Sequence, residues 1–369
     1  MNFLSHKKIL VVFIISTVFL IGYSCKKEQE VISPGVKYDT TPYNLEFGDL
    51  PTPNIPLDNP LTEEGVQLGR MLFYEKKLSS DNSIACASCH KQENAFSDTN
   101  RFSIGVGGLR GGRQAMSAFN LLWNSNEFFW DGRAHLLRDQ SLGPIENPIE
   151  MNETLANVIK KLSAIPMYRD QFFRAFNSEE ITSLKMSLAL EQFMHSIVSY
   201  NSKFDKSQRL EVGLTPSERR GQTLFFLEYN GPIPSASGAD CVHCHSGSNF
   251  ENDLYMNNGL DVDASILDSG RYDATGMLGD IGKFKVPTLR NIELTPPYMH
   301  DGRFKTLEEV VDHYNHGVKV SSTLDEGVAR TIGTTLRLTT QDKADLVAFL
   351  KTLTDNELIT DKRYSSPFK

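Results

Sequence analysis

Two short runs constrain this chain more than anything else in it. They are CASCH, with Cys86, Cys89 and His90, and CVHCH, with Cys241, Cys244 and His245. C-x-x-C-H is the attachment signature of c-type haem. Two thiols at that spacing add to the two vinyl groups, and the adjacent histidine reaches the iron as proximal ligand. A single match could equally be a redox pair or half of a zinc site. Disulfides are the alternative in an oxidising compartment, but they leave the histidine after each pair unexplained. The two runs use every cysteine except Cys25. Two covalently bound c-type haems are therefore expected, with cores built around them.

The segments leading into the two motifs repeat each other. Leu61 to Ser79 precedes the first and Leu214 to Gly231 the second. Each begins with a threonine suited to capping a helix, and Thr215 with Glu218 forms a capping box with Pro216 at the first helical position. Each carries G-x-x-L-F, at Gly69 to Phe73 and Gly221 to Phe225. The expected fold is mainly α, with two cytochrome c-like haem domains in tandem. Ile181 to Tyr200 reads as a long amphipathic helix closing the first domain. Residues 26 to 55, rich in proline, read as an extended tether.

Composition excludes some partners. A net charge of −8 over 369 residues argues against nucleic acid. It also fits poorly with docking on anionic lipid, while a basic protein partner stays open. The apolar run Ile9 to Ile21 is short of the roughly 20 residues that span a bilayer and suits a signal peptide. Ser24 before the lone Cys25 resembles a bacterial lipoprotein cleavage site. Residues 1–25 are thus expected to be a signal segment cleaved before Cys25. A lipid on Cys25 would anchor the protein at the periplasmic side of the cell envelope, with simple secretion as the alternative.

The sixth position of each iron decides between electron transfer and chemistry. For the second haem, Thr306 and Glu309 form a capping box and Gly317 suits a helix stop. Leu307, Val310, Val311 and Tyr314 then share one face. His316 falls opposite and His313 off the stripe, so Tyr314 is expected to point inward. On periodicity alone it reads as a core tyrosine, and Met256, Met277 and Met299 are rival ligands. For the first haem, Phe129 to Met151 reads as a proline-punctuated loop holding Trp130, Gln140 and Glu150. A carboxylate there could move a proton between the two oxygens of peroxide. By residue type alone, Glu150 is a surface carboxylate, Trp130 a core residue and His135 a solvated histidine. The glycine-rich loop SIGVGGLRGG, Ser103 to Gly112, is no phosphate cradle, because Arg110 stands where the third glycine of G-x-G-x-x-G belongs.

Together, the two haem motifs, FWDGRA (Phe129 to Ala134), NPIEM (Asn147 to Met151), Lys285 to Gly302 and Thr306 to Tyr314 resemble the bacterial di-haem cytochrome c peroxidases and their relative MauG. The likeness spans about residues 55 to 355. It implies an N-terminal peroxidatic haem domain over 56–210 and a C-terminal electron-transfer haem domain over 211–360. It implies that Trp130 lies between the haems, that Gln140 and Glu150 line the distal pocket, and that Glu150 is catalytic. Tyr314 falls where ordinary peroxidases carry a methionine ligand and MauG-like members a tyrosine. A calcium ion is implied between the domains, on the backbone oxygens of Thr295 and Pro297 and on Gln114, where an asparagine is usual. Ordinary peroxidases carry S-I-G-H-G, whose histidine caps the resting peroxidatic iron. Here that position is Val106, which has no lone pair.

Three functions follow. The first is reduction of hydrogen peroxide to water with electrons from a small cytochrome or copper protein. The second is MauG-like, peroxide-dependent oxidation of a protein side chain through a high-valent di-haem state. The third is a plain electron-transfer cytochrome or redox sensor. A homodimer is suggested by the family alone.

Overall fold

The computed structural model describes residues 32–368. Cys25 and the expected signal segment lie outside the described residues. Among the described residues no helix is long and apolar enough to cross a membrane. The main helices are α1 (Glu63–Tyr74), α2 (Leu137–Glu146), α3 (Leu155–Ser163), α4 (Pro166–Phe176), α5 (Ser183–Ser196), α6 (Pro216–Phe226), α7 (Leu307–Asp312) and α8 (Thr340–Lys351). Among the described residues the sheet is one antiparallel pair, β1 (Tyr255–Met256) with β2 (Phe284–Lys285).

Side chains start the helices, at Thr62, Thr215 and Thr306 as the sequence predicts and at Thr339 in addition. The Thr62 hydroxyl accepts from the Gly65 amide at the head of α1. Thr215 with Glu218, Thr306 with Glu309 and Thr339 with Asp342 form reciprocal capping boxes on α6, α7 and α8. Each such cap contributes about 1 kcal/mol by satisfying amides that a helix start leaves unpaired.

The repeated G-x-x-L-F marks a helix crossing. α1 passes α5 at Gly69, where a Cβ would overlap the Ala189 carbonyl and come 2.7 Å from the Phe193 Cβ. α6 passes α8 at Gly221, where a Cβ would overlap the Asp345 carbonyl and come 2.8 Å from the Phe349 Cβ. One turn on, Phe73 meets Phe193 at 5.3 Å between ring centroids, and Phe225 meets Phe349 at 5.2 Å. Each crossing seeds its own apolar core. The first gathers Leu68, Leu72, Phe73, Phe96, Phe172 and Phe193. The second gathers Phe225, Phe250, Leu346, Phe349 and Leu353.

Four features differ from the sequence reading. α5 ends at Ser196, and from Ala189 onward every residue is buried, so it is not amphipathic there. Its polar groups are matched internally: Glu191 takes the Asn59 amide at 2.7 Å and pairs with Arg138 at 2.9 Å, and Gln192 accepts from the Thr62 amide at 3.0 Å. Second, the expected loop over Phe129 to Met151 contains α2. Its buried residues Leu137, Ser141 and Ile145 recur every four positions despite Pro144 inside the helix. Third, residues 32–55 are extended but not a free spacer. The Tyr43 amide bonds the Leu61 carbonyl at 3.0 Å, and Tyr43, Leu45 and Ile55 pack on the first core. Fourth, the chain's end returns to that core. Leu358 and Tyr364 are buried within it, the Tyr74 hydroxyl bonds the Tyr364 carbonyl at 2.7 Å, and Arg70 bonds the Ser365 carbonyl at 2.6 Å.

Gly69→Ala and Gly221→Ala are each expected to destabilise the protein. The gain in helix propensity is about 1 kcal/mol, while forcing a methyl into a filled crossing costs about 1–3 kcal/mol, with a rigid carbonyl in the way placing it at the upper end. A lower melting temperature in thermal denaturation checks this, and an unchanged one refutes the crossing argument.

Candidate haem sites and peroxide pocket

A cavity of about 460 Å³ opens against the first motif, lined by Cys86, Cys89 and His90 with apolar walls that include Phe73, Leu190 and Met194. All four motif cysteines are free thiols, not disulfides. His90 directs Nδ1 to the Phe96 carbonyl at 3.0 Å. His245 directs Nδ1 to the Phe250 carbonyl at 3.2 Å. A carbonyl only accepts, so Nδ1 carries the proton in both rings and Nε2 keeps its lone pair. That is the orientation a metal-binding histidine needs. Burial holds His245 down to about 4, so it is neutral and ready to ligate at neutral pH. Thiol pairs, bonded imidazoles and an apolar cavity together fit a c-type haem. Among the described residues there is no group of three or more His, Cys, Asp or Glu side chains placed to hold a metal ion.

The same cavity brings together Trp130, Gln140, Glu150, Gln114, Thr295 and Pro297. Gln140 projects from α2. Glu150 sits in the turn that follows, where the Asn147 amide donates to its Oε1 at 2.7 Å. It is no surface carboxylate: burial pushes its carboxyl above the usual range, against the opposing pull of Asn147. Trp130 is buried, and its indole N–H donates to the Gln114 carbonyl at 2.8 Å. The Trp130 carbonyl accepts from the Lys285 amide at 2.8 Å, and the Gln114 amide donates to the His300 carbonyl at 2.7 Å. The tryptophan is thus tied both to the first motif's surroundings and to β2. The Gln114 side-chain nitrogen is occupied by Ser97 Oγ at 2.9 Å and the Asp98 carbonyl at 3.2 Å, so only its oxygen could face a cation. His135 is exposed and lies outside this group.

The glycine loop is folded tightly onto the Glu150 turn. Ile104 and Arg110 form an antiparallel bridge, and the Gly105 amide bonds the Leu109 carbonyl at 2.7 Å. Gly107 and Gly108 sit at φ 69° and 78°, which favours glycine. Gly105 is needed for space, since a Cβ there would overlap the Ile149 carbonyl. The Val106 amide donates to the Glu150 carbonyl at 2.8 Å. The loop is a closed hairpin docked on the carboxylate's own backbone.

At the second motif, the Tyr314 hydroxyl accepts from the Asn258 amide at 3.2 Å, and the thiols of Cys244 and Cys241 lie close enough to influence it. Burial raises this phenol above its ordinary range. Met299 Sδ shares Asn258 at 3.3 Å, Met256 Sδ lies 3.3 Å from Cys244 Sγ, and Met277 is 64% exposed and removed from the site. One expectation fails here. After Asp312 the helix widens into a π-turn, His313–Gly317, which carries His313 inward as well. It is buried, with Nε2 on the Asn258 carbonyl at 3.0 Å, while His316 is exposed as expected.

Sequence reasoning missed Asn147, Asn258 and Gly105. Asn147 builds the Glu150 turn, accepting the Glu150 amide on its carbonyl at 3.0 Å. Its signal was the Asn-Pro pair, which marks a turn. No local pattern announced Asn258, which reaches Tyr314 from 56 positions away.

A family model described as di-haem cytochrome c peroxidase matches residues 63–212. The chain is 34% identical over 301 residues to cytochrome c551 peroxidase of Nitrosomonas europaea, covering 81% of this chain and 82% of that protein. It is 34% identical over 300 residues to methylamine utilization protein MauG of Methylorubrum extorquens, covering 81% and 80%. A crystal structure of a MauG-like protein associated with microbial copper homeostasis superposes with a TM-score of 0.80 at 35% identity, over 89% of this chain and all of that one. With two haem-attachment motifs, each with its histidine held ready, and relatives of both names along most of its length, the chain belongs to the di-haem cytochrome c peroxidase family of oxidoreductases, which includes MauG.

Proposed function

We propose that this protein reduces hydrogen peroxide to water with electrons from a small redox protein, and that Glu150 is its acid–base residue. The observation that carries the reading is the placement of Glu150: a half-buried carboxyl, held by a single amide, on the wall of the cavity that contains Cys86, Cys89 and His90. Cys86 and Cys89 would tether one haem and Cys241 and Cys244 the other, with His90 and His245 as proximal ligands, in two cytochrome c-like domains in tandem. When bound, the first haem supplies the redox-active iron at which peroxide is reduced. Glu150 takes the proton from one peroxide oxygen and returns it to the other, which leaves as water. Asn147 holds the carboxylate in place, and Gln140 on α2 orients the substrate from the same wall. Trp130, bonded to both Gln114 and Lys285, would relay electrons toward that pocket.

A second reading, MauG-like oxidation of a protein side chain, is favoured by Tyr314. Its hydroxyl, held by Asn258 beside the second motif, could serve as an anionic ligand that would stabilise oxidised iron. The two separate on one measurement. Fast oxidation of a reduced donor cytochrome after peroxide supports the first. A long-lived spectral change with slow donor turnover supports the second.

Further assignments rest on the sequence and on the family. Thr295, Pro297 and Gln114 share the cavity and offer oxygen atoms to a calcium ion. Residues 1–25 support a periplasmic location with a lipid on Cys25. Calorimetric titration of calcium into chelator-stripped protein tests the ion, and fractionation of a Cys25→Ala variant tests the anchor.

Glu150→Gln is expected to keep both haems and to lose peroxide-driven donor oxidation by about 10²–10⁴-fold. Because the Glu150 pKa is raised and the base works ionised, wild-type activity falls as pH drops through a value above the ordinary 4.5. That acid limb should vanish from the residual activity of the variant. Full activity in Glu150→Gln rules out the assignment.

Val106 generates a separate expectation. The ferric protein should contain one high-spin haem without prior reduction, because the hairpin offers no ligand at that position. Val106→His keeps the backbone bond to Glu150 and is expected to convert that signal to low spin. A wild-type ferric spectrum that is wholly low-spin contradicts the open pocket.

A further inference from the structure

The cavity contains a second carboxyl. Glu251 follows His245 by six positions and belongs to the loop of the second motif. Yet its side chain lines the cavity of the first motif, with Cys86, Cys89 and Trp130. Its backbone is fixed: its amide bonds the Ser246 carbonyl at 3.0 Å, and its neighbour Phe250 holds His245 Nδ1. A group mounted on one haem loop therefore looks into the pocket of the other.

Its surroundings leave the charge of Glu251 uncompensated. The Asn249 amide is its one side-chain partner. Lys285 lines the same cavity but pairs with Asp253 at 3.3 Å, and Asp253 also accepts the Ser125 amide and hydroxyl. The remaining ionic groups on the wall are His90, Arg113, Arg133 and Glu150. Arg113 is committed to Asp131 at 2.6 Å and Asp268 at 2.7 Å, and Arg133 to Asp131 at 2.9 Å. Burial, and then the charge of Asp253, lift the Glu251 carboxyl to about 7, against Asn249 and Lys285. It is thus poised to gain or lose a proton at neutral pH. Lys285 links it to the electron route, since its backbone amide holds the Trp130 carbonyl.

An electron added to a pocket of low dielectric raises the proton affinity of a carboxylate nearby. We propose that Glu251 takes up one proton when one electron enters the haem pair, so that electron passage beside Trp130 adds no net charge to the interior. The balance is one electron from the reduced donor protein, one ferric iron becoming ferrous, and one solvent proton converting the Glu251 carboxylate to the acid. The donor leaves oxidised by one electron. This rests on the two-haem reading and not on the fate of peroxide.

The test is spectroelectrochemical titration of both haems from acidic to alkaline pH. In the wild type, one midpoint potential should be level below about pH 7 and fall above it by up to about 59 mV for each tenfold drop in proton activity. Glu251→Gln should remove that break. Asp253→Asn, which deletes the repelling charge, should move the break to lower pH. A Glu251→Gln protein with the wild-type break overturns the proposal. If that variant fails to retain both haems, an unmoved break in Asp253→Asn overturns it instead. A wild type that carries fewer than two haems defeats the underlying reading, whereas two haems with an unaltered break defeat only this step.

Discussion

Everything in this molecule hangs from two helix crossings that only glycine allows. At Gly69 and Gly221 one helix lies directly against a carbonyl of its partner. That approach brings Phe73 onto Phe193 and Phe225 onto Phe349, and each pair extends to the phenylalanine whose carbonyl holds the motif histidine. Phe96 and Phe250 both sit at positive φ, 57° and 54°, which turns that carbonyl back toward the imidazole. Such a conformation is costly for a bulky residue, and the dense aromatic packing around each ring offsets it. Histidine geometry is therefore set by the core, not by the motif alone.

The pieces legible in the sequence were those whose physics is local. Thiol spacing, threonine caps and the glycine of G-x-x-L-F each act within a few residues, and the structure has them in place. The pieces that were not legible depend on distant partners. α5 looked amphipathic because Glu191, Gln192 and His195 are polar. They are buried because Asn59, Thr62 and Arg138 arrive to meet the first two. α2 was hidden by Pro144, whose missing amide suggested a loop. The inward turn of His313 needed a widened helix that no spacing rule anticipates. Glu150 looked like surface until the Gly105 hairpin and Asn147 closed around it. Family likeness singled it out, and only the fold shows it half-buried against the cavity.

Beneath the two sites runs one frame used twice. Trp130-Asp131-Gly132-Arg133 and His300-Asp301-Gly302-Arg303 make the same bend. Phe129 and Met299 are at φ 69° and 74°, Gly132 and Gly302 at 72° and 61°, and bridges close each bend at Phe128 with Ala134 and Tyr298 with Phe304. In each, the aspartate accepts from the arginine amide two positions on, at 3.2 Å. The difference lies in what the frame presents. One copy offers a tryptophan and a helix leading to Gln140 and Glu150. The other offers a histidine stacked on Phe284 at 3.6 Å and a helix leading to Tyr314. The same backbone frame thus carries different side chains at the two motifs.

The returning C-terminus changes how this chain divides. Leu358 and Tyr364 fill the first core, and the Gln92 amide reaches the carbonyls of Leu358 and Asp361 at 3.0 and 2.8 Å. The half that begins the chain is thus finished by residues that end it. In packing terms the molecule is a closed ring: its two repeats cannot be parted by a single cut, because a cut between them leaves the first core without its last wall.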